Sequence, residues 1–485
     1  MNFTMPLFHV AIPEIFMLSM ASIILLVDIF LGKRFRDLTY VLIQCTLAAA
    51  VVLVLMQYAQ FPERIITFSG HFILDKLAIL TKLFVLITSI FSFIYARDYI
   101  QKRNIAHGEY FILGLFAIIG MLIMSSAYSF LTIYLGLELL SLSLYAMIAL
   151  YKDSAKATEA AMKYFVMGAL ASGLLLYGIS MVYGVTGSIQ ISLIGNVAGF
   201  VPQHDIIILF GLIFILAGLL FKFGVIPFHM WVPDVYDGAP TSATLFIACA
   251  PKIAAFCITM RILVEGMSTS SFSWQLVLIV VAILSMFGGN LLAIAQTNIK
   301  RMLAYSSIAH MGYTLLGVIA GPDSVIGYSA AMFYITTYVI VAAGAFAVIS
   351  IMSDKGVELD QLEDYRGLNA RNPWLALMML LLMFSMAGVP PTVGFFAKLG
   401  LLEALVEAHF VWLAALALLF AIIGAYYYLR IVMLMYFEEP RAELAGTKIT
   451  MPAGIWAAIS INGIAALGLG LLPSALIDMC RISIV

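Results

Sequence analysis

Charge is scarce in this chain. Only 11% of its 485 residues are Asp, Glu, Lys or Arg, where a soluble domain carries about 25%. A soluble protein of this length would be short of polar surface. The net charge of −1 leaves no electrostatic footprint for nucleic acid, so none is expected as a partner. Cysteine is scarce too. The four cysteines form no CxxC and no Cys/His cluster, so the chain carries no sequence signature of an iron–sulfur cluster, a haem attachment or a zinc site. What remains is hydrophobic length: 64% of the residues are hydrophobic, and the mean hydropathy is +1.08. A bilayer solvates such surface directly.

A helix needs about 20 apolar residues to cross the hydrocarbon core. On that scale the sequence predicts 14 spans. They cover 7–31, 38–58, 72–95, 109–125, 129–151, 159–184, 205–228, 240–263, 275–295, 302–320, 327–352, 373–400, 409–436 and 453–475. The runs are too long and too uniformly apolar for barrel strands, so the fold class is an all-α membrane protein. The first run is long for a signal peptide, contains Glu14 and Asp28 and is followed by further spans, so it reads as a retained helix. Loops on one side hold 16 Lys and Arg residues, from Lys33 to Lys448, against Arg64, Arg261 and Arg481 on the other. Positive loops stay in the cytoplasm, and an even span count then puts both termini outside, in the periplasm.

Six lysines fall within spans: Lys76, Lys82, Lys163, Lys222, Lys252 and Lys398. Lys76 and Lys163 lie near span ends and can snorkel to the interface; Lys82 is deeper. Lys222, Lys252 and Lys398 need another account, because a lysine at mid-bilayer costs roughly 2.5–3.5 kcal/mol even on insertion scales. Buried amines release protons more readily than solvated ones, which suits a proton relay. The competing reading is a structural lysine paired with a buried acid. Glu138 is such an acid, with no base within a helical turn, and Lys222 is its candidate partner. That pair fits either a switch, in which each charge shifts the other's titration, or a static bridge.

Pro227 follows Lys222 by five residues, and Pro390 and Pro391 precede Lys398. Proline removes a backbone hydrogen bond, so both spans are predicted to be broken. Paired broken helices mark inverted-repeat transporters with ion sites at the breaks, while a single kink more often serves packing. The halves would be 109–263 and 275–436. His229, beyond the first break, can pass protons or shape a loop. His310, flanked by hydroxyls, can bridge two relay halves or sit as a satisfied core histidine. The 27 methionines show no repeating spacing and read as apolar packing.

Three stretches carry a family resemblance: FKFGVIPFHMWVPDVYDGAP at 221–240, TNIKRMLAYSSIAHMGY at 297–313 and LGLELLS at 135–141. They resemble the antiporter-like subunits of respiratory complex I, the NADH–quinone oxidoreductase, along essentially the whole chain. Lysine rather than glutamate at 398, and no long lateral helix at the C-terminus, separate the branch it resembles from sister branches. Subunits of multisubunit sodium/proton antiporters share much of the pattern. The resemblance implies a proton-translocating subunit of a bacterial inner-membrane enzyme, with other complex I membrane subunits and the lipid bilayer as partners. It implies no redox centre here, with NADH, FMN, iron–sulfur clusters and quinone bound in other subunits. It implies that Glu138 and Lys222 form the acid–lysine pair of a first half-channel, that Lys252 connects, and that Lys398 ends the second. His229 and His310 also match family positions.

Overall fold

The computed structural model describes residues 5–31, 36–61, 63–103, 105, 107–198, 206–353, 358–444, 449 and 451–484. Lys33, Arg34, Lys355 and Lys448 of the positive loops lie outside them. The first half contains α1 (Ile12–Leu31), α2 (Arg36–Gln60), α3 (Lys76–Lys102), α4 (His107–Ser126), α5 (Phe130–Ala149), α6 (Ala155–Thr186), α7 (Ile191–Ala198), α8 (Ile206–Phe223), α9 (Trp231–Gly238), α10 (Thr241–Ala248) and α11 (Ala250–Met260). The second contains α12 (Ser271–Ile294), α13 (Ile299–Ala320), α14 (Gly327–Met352), α15 (Leu368–Arg371), α16 (Pro373–Ala387), α17 (Val393–Glu407), α18 (Val411–Phe437), α19 (Ala453–Leu471) and α20 (Ser474–Ile484). Among the described residues, thirteen helical segments are long and apolar enough to cross a bilayer. The fourteenth predicted span is the broken pair α16–α17. The described strands are two three-residue pieces, Ile65–Thr67 and Phe72–Leu74, paired antiparallel. They are too short to register as a strand pattern in the sequence.

Both predicted breaks are present, but a glycine starts each one. Gly224 and Gly388 take left-handed φ values of +72° and +85°, which an L side chain resists. In the first break, Leu220 O accepts from the amides of Gly224 (3.0 Å) and Val225 (3.2 Å). In the second, Phe384 O accepts from Gly388 and Val389, both at 2.9 Å. Glycine followed by a doubly used carbonyl is how a helix terminates while satisfying its last acceptors. The local sequences are Gly-Val-Ile-Pro and Gly-Val-Pro-Pro, so the two breaks match at three of four positions. The remaining carbonyls are capped differently. The Trp231 indole N–H donates to Phe221 O (3.0 Å), whereas the Lys398 amine donates to Met386 O (3.0 Å) and Ala387 O (2.9 Å). The difference accounts for the two lysines lying on opposite sides of their prolines.

A third break was not expected. Cys249, at φ −114° and ψ −88°, separates α10 from α11, and α11 runs into a π-helical turn at Arg261–Gly266. This interrupted span and α13 form the centre of the molecule: 94% of the apolar stretch of each is buried, against 33% for α2. The π turn is anchored by Arg261, 1% exposed, whose guanidinium donates twice to Asp75 at 2.6 Å and once to Glu265 at 2.7 Å. Asp75 also caps α3 through Ala78 N (2.9 Å). Removing one partner of a buried pair strands the other, at about 3–5 kcal/mol. Arg261→Leu should therefore lower the thermal unfolding midpoint of the purified protein, and adding Asp75→Asn should recover part of the loss. Additive losses in that double-mutant cycle would dismiss the coupling. Lys82 proves to be paired as well, with Glu14 of α1 at 2.5 Å and both side chains buried. Lys163 bridges Glu159 and Asp234 at 2.8 Å each, and Lys76 is exposed at the start of α3.

Candidate functional site

The site begins on α5, where Glu138, Ser141 and Tyr145 recur at i, i+3 and i+7 and so share one helix face. Lys222, on the last turn of α8, meets that face. Its amine donates to Ser141 Oγ at 2.6 Å, and Ser141 donates in turn to Leu137 O at 2.5 Å. Glu138 and Lys222 form no ion pair within 4.0 Å, and Glu138 Oε1 is buried without a hydrogen-bond partner. The serine, one turn along from the acid, occupies the lysine instead. Tyr145 packs edge-on against Tyr164 (4.7 Å), which stacks on Trp231 (4.6 Å), so an aromatic wall closes this end of the site.

Lys252 follows the break at Cys249 and is 2% exposed. Its amine donates to Ser307 Oγ on α13 and lies 5.1 Å from the centre of the Tyr338 ring. His310 is one turn beyond Ser307. Its Nδ1 is 2.7 Å from the Tyr334 hydroxyl and its Nε2 2.9 Å from the Tyr428 hydroxyl, so one ring nitrogen donates and the other accepts. Tyr428 continues the chain to Ser306 and to Tyr427 (3.2 Å), which donates to Asn290 (2.9 Å). Between His310 and Lys398 lies a cavity of about 20 Å³, lined also by Tyr334, Thr337 and Ser385. One water needs roughly 10–15 Å³ of such space, so the cavity has room for one between two titratable groups. Lys252, Ser307, His310, this cavity and Lys398 thus form one row through the most buried helices.

His229 stands apart from that row. It is half-buried in the turn beyond the first break, its Nδ1 has no partner, and no hydrogen bond joins it to the lysines. Below it, Asp234 accepts from Lys163 (2.8 Å) and Arg301 (3.0 Å), tying α9 to α6 and α13. Ser141, Ser307, Tyr334 and Tyr428 escaped the sequence reading. The serines had a signal, since Ser141 is at i+3 from Glu138 and Ser307 at i−3 from His310. The tyrosines had none, because they reach His310 from remote helices. Among the described residues, no group of three or more His, Cys, Asp or Glu could hold a metal ion.

The sequence model of the NADH:quinone oxidoreductase/Mrp antiporter transmembrane family matches residues 127–424. NADH-quinone oxidoreductase subunit N of Thioalkalivibrio sulfidiphilus is 51% identical over 484 residues, 99% of this chain and 98% of that protein. The chain belongs to the NADH-quinone oxidoreductase subunit N family. It is a multi-pass membrane protein, as that family and the thirteen apolar segments require. A chain of respiratory complex I from Thermus thermophilus, solved with bound aureothin, superposes with a TM-score of 0.82 at 30% identity, covering 96% of this chain and 98% of that one. A chain of the Mrp complex from a Dietzia species shares the fold, with a TM-score of 0.85 at 20% identity over 99% and 97% of the two chains. All three lysines, the buried Lys252 and the half-buried Lys222 and Lys398, lie within the family-matched stretch.

Proposed function

We propose that Glu138, Lys222, Lys252 and Lys398, with His310 between the last two, relay protons across the membrane in this complex I subunit. The observation that carries this reading is the succession of Lys252 bonded to Ser307, His310 one turn along the same helix, and a water-sized cavity between His310 and Lys398. Packing alone gives no reason to place two amines and an imidazole within the spans of a bilayer protein. Redox chemistry with NADH, FMN, iron–sulfur clusters and quinone belongs to other subunits. Energy from it reaches this chain through neighbouring membrane subunits and alters the Glu138–Ser141–Lys222 contact. A proton then passes by Lys252 to Lys398 and outward. Moving one charge against 100 mV costs about 2.3 kcal/mol, which a pKa change of roughly two units supplies at 1.36 kcal/mol each. The halves 109–263 and 275–436 each contain one Gly-Val-x-Pro break, which supports reading them as repeated units. The positive loops favour a bacterial inner membrane with both termini periplasmic. His229, in the turn beyond the first break, passes protons to the cytoplasmic side.

The test is NADH-driven proton pumping in inverted membrane vesicles containing assembled complex. Lys222→Ala and Glu138→Ala are each expected to lower it; wild-type pumping in both variants would sink the relay. The shared fold of the Mrp chain supports a second reading, a sodium/proton antiporter subunit. That reading requires sodium-dependent antiport in the absence of NADH.

A further inference from the structure

Between the Glu358 side of the molecule and Lys252 lies a set of buried hydroxyls that the row above does not use. Tyr95 on α3 and Thr241 at the start of α10 each bury an oxygen with no hydrogen-bond partner in the protein, while the hydroxyls of Tyr110 on α4 and Ser242 on α10 face each other and that of Tyr236 on α9 faces Ser307. An unmet buried hydroxyl costs about 1–3 kcal/mol. The unmet oxygens of Tyr95 and Thr241 therefore point to groups that are met by water. The set has two defined ends. At the surface end, Thr241 N donates to the Tyr99 hydroxyl (3.1 Å), and Tyr99 donates to Glu358. Glu358 also accepts from Lys300 (3.1 Å). Burial pushes the Glu358 carboxyl up, but Lys300, Tyr99 and Arg103 outweigh it and hold it below the usual range, so it is an anion at neutral pH. Beside it, a cavity of about 20 Å³ lined by Tyr95, Asp98, Tyr99 and Lys102 has room for a water. At the inner end, the Tyr236 hydroxyl lies beside Ser307, which is the hydrogen-bond partner of Lys252, and the Tyr236 ring centre is 5.9 Å from the Lys252 amine.

We propose that these hydroxyls and the water they bind form a second proton-uptake path, from Glu358 and Asp98 through Tyr99, Thr241 and Tyr236 to Lys252, independent of Glu138 and Lys222. The proposal rests on reading Lys252 as a proton carrier. Each step hands a proton from one oxygen to the next through water bound between them, and Ser307, between the Tyr236 hydroxyl and the Lys252 amine, hands it to the amine. Only O–H and N–H bonds are made and broken, so no co-reactant is needed. The path explains why the third helix break falls where it does: the α9–α10 corner and the break at Cys249 bracket the hydroxyl set and deliver it to Lys252.

Isosteric removal of these hydroxyls separates this path from mere packing. If the oxygens only pack, Thr241→Val deletes an unmet polar atom and Tyr236→Phe a single hydroxyl facing Ser307, and the complex should stay about as stable and pump as before. A proton path predicts the opposite for function. NADH-driven pumping by the double variant in vesicles should fall about threefold or more, because each lost relay group slows the hand-over. Thr241→Ser, which keeps the hydroxyl, should pump normally. Should the double variant not assemble, Thr241→Val alone carries the comparison with Thr241→Ser. Wild-type pumping in the hydroxyl variants, alongside loss in Lys252→Met, overturns the path and spares Lys252. Wild-type pumping in Lys252→Met as well overturns the reading on which the path rests.

Discussion

Lys252→Met is expected to stop NADH-driven proton pumping while leaving the protein about as stable as before, and Lys252→Arg is expected not to restore it. The stability side follows from two opposing effects. Methionine fills a similar volume and removes a buried amine, whose desolvation costs several kcal/mol. It also leaves Ser307 Oγ without the donor it now has, at about 1–3 kcal/mol. The two offset, so the thermal unfolding midpoint of the purified complex should stay within a few degrees. The functional side follows from position. Lys252 joins the interrupted central span to α13 through Ser307, and His310 lies one turn further along the same helix. A positioned proton-transfer group contributes roughly 10²–10⁴-fold, so pumping should fall by at least about tenfold. Arginine decides between two roles. It keeps the positive charge but does not release its proton in proteins. If Lys252 only supplies a field, Lys252→Arg pumps; if it exchanges protons, Lys252→Arg fails with Lys252→Met. Normal pumping by Lys252→Met would remove the lysine from the relay.

The spans and the anomalous lysines were legible because both depend on composition along one stretch of chain. Twenty apolar residues announce a helix, and a lysine inside them announces a cost. The breaks were half legible. Proline marked them, but the helices end three residues earlier at Gly224 and at Gly388, where backbone geometry rather than ring chemistry stops the helix. The matching Gly-Val-x-Pro strings were in the sequence and hold the clearest trace of an internal repeat. Pairing was not legible. Opposite charges on different helices suggest Glu138 with Lys222, yet Ser141 takes the amine. Glu14 with Lys82, and Arg261 with Asp75, join residues 68 and 186 positions apart. Nothing local signals which acid a buried base will meet. The break at Cys249 had no glycine to mark it, and Pro251 beside it fits the first turn of an ordinary helix.

Gly394→Ala should destabilise the protein and reduce pumping, although the same change in α6 should do neither. Alanine in a helix interior is ordinarily favoured over glycine by about 0.5–1 kcal/mol. Gly173 shows the simple case: a Cβ there meets nothing within 4 Å, so Gly173→Ala should be neutral or stabilising. At Gly394 a Cβ would stand 1.8 Å from Ser385 O and 2.7 Å from Ser385 C. Those are backbone atoms of α16, so no side chain can swing aside, and α17 must move. Overpacking of this kind costs about 1–3 kcal/mol and outweighs the propensity gain. The displacement matters because Lys398 is one turn further along α17. Its amine reaches Met386 O and Ala387 O only while the two half-helices remain in contact. Ser385 and Gly394 also line the cavity between His310 and Lys398, so the same shift changes the space available to a bridging water. The expected outcome is a lower unfolding midpoint and slower NADH-driven pumping for Gly394→Ala, with Gly173→Ala matching wild type in both. Equal behaviour of the two variants would show that the close approach of α16 and α17 does not hold Lys398 in place.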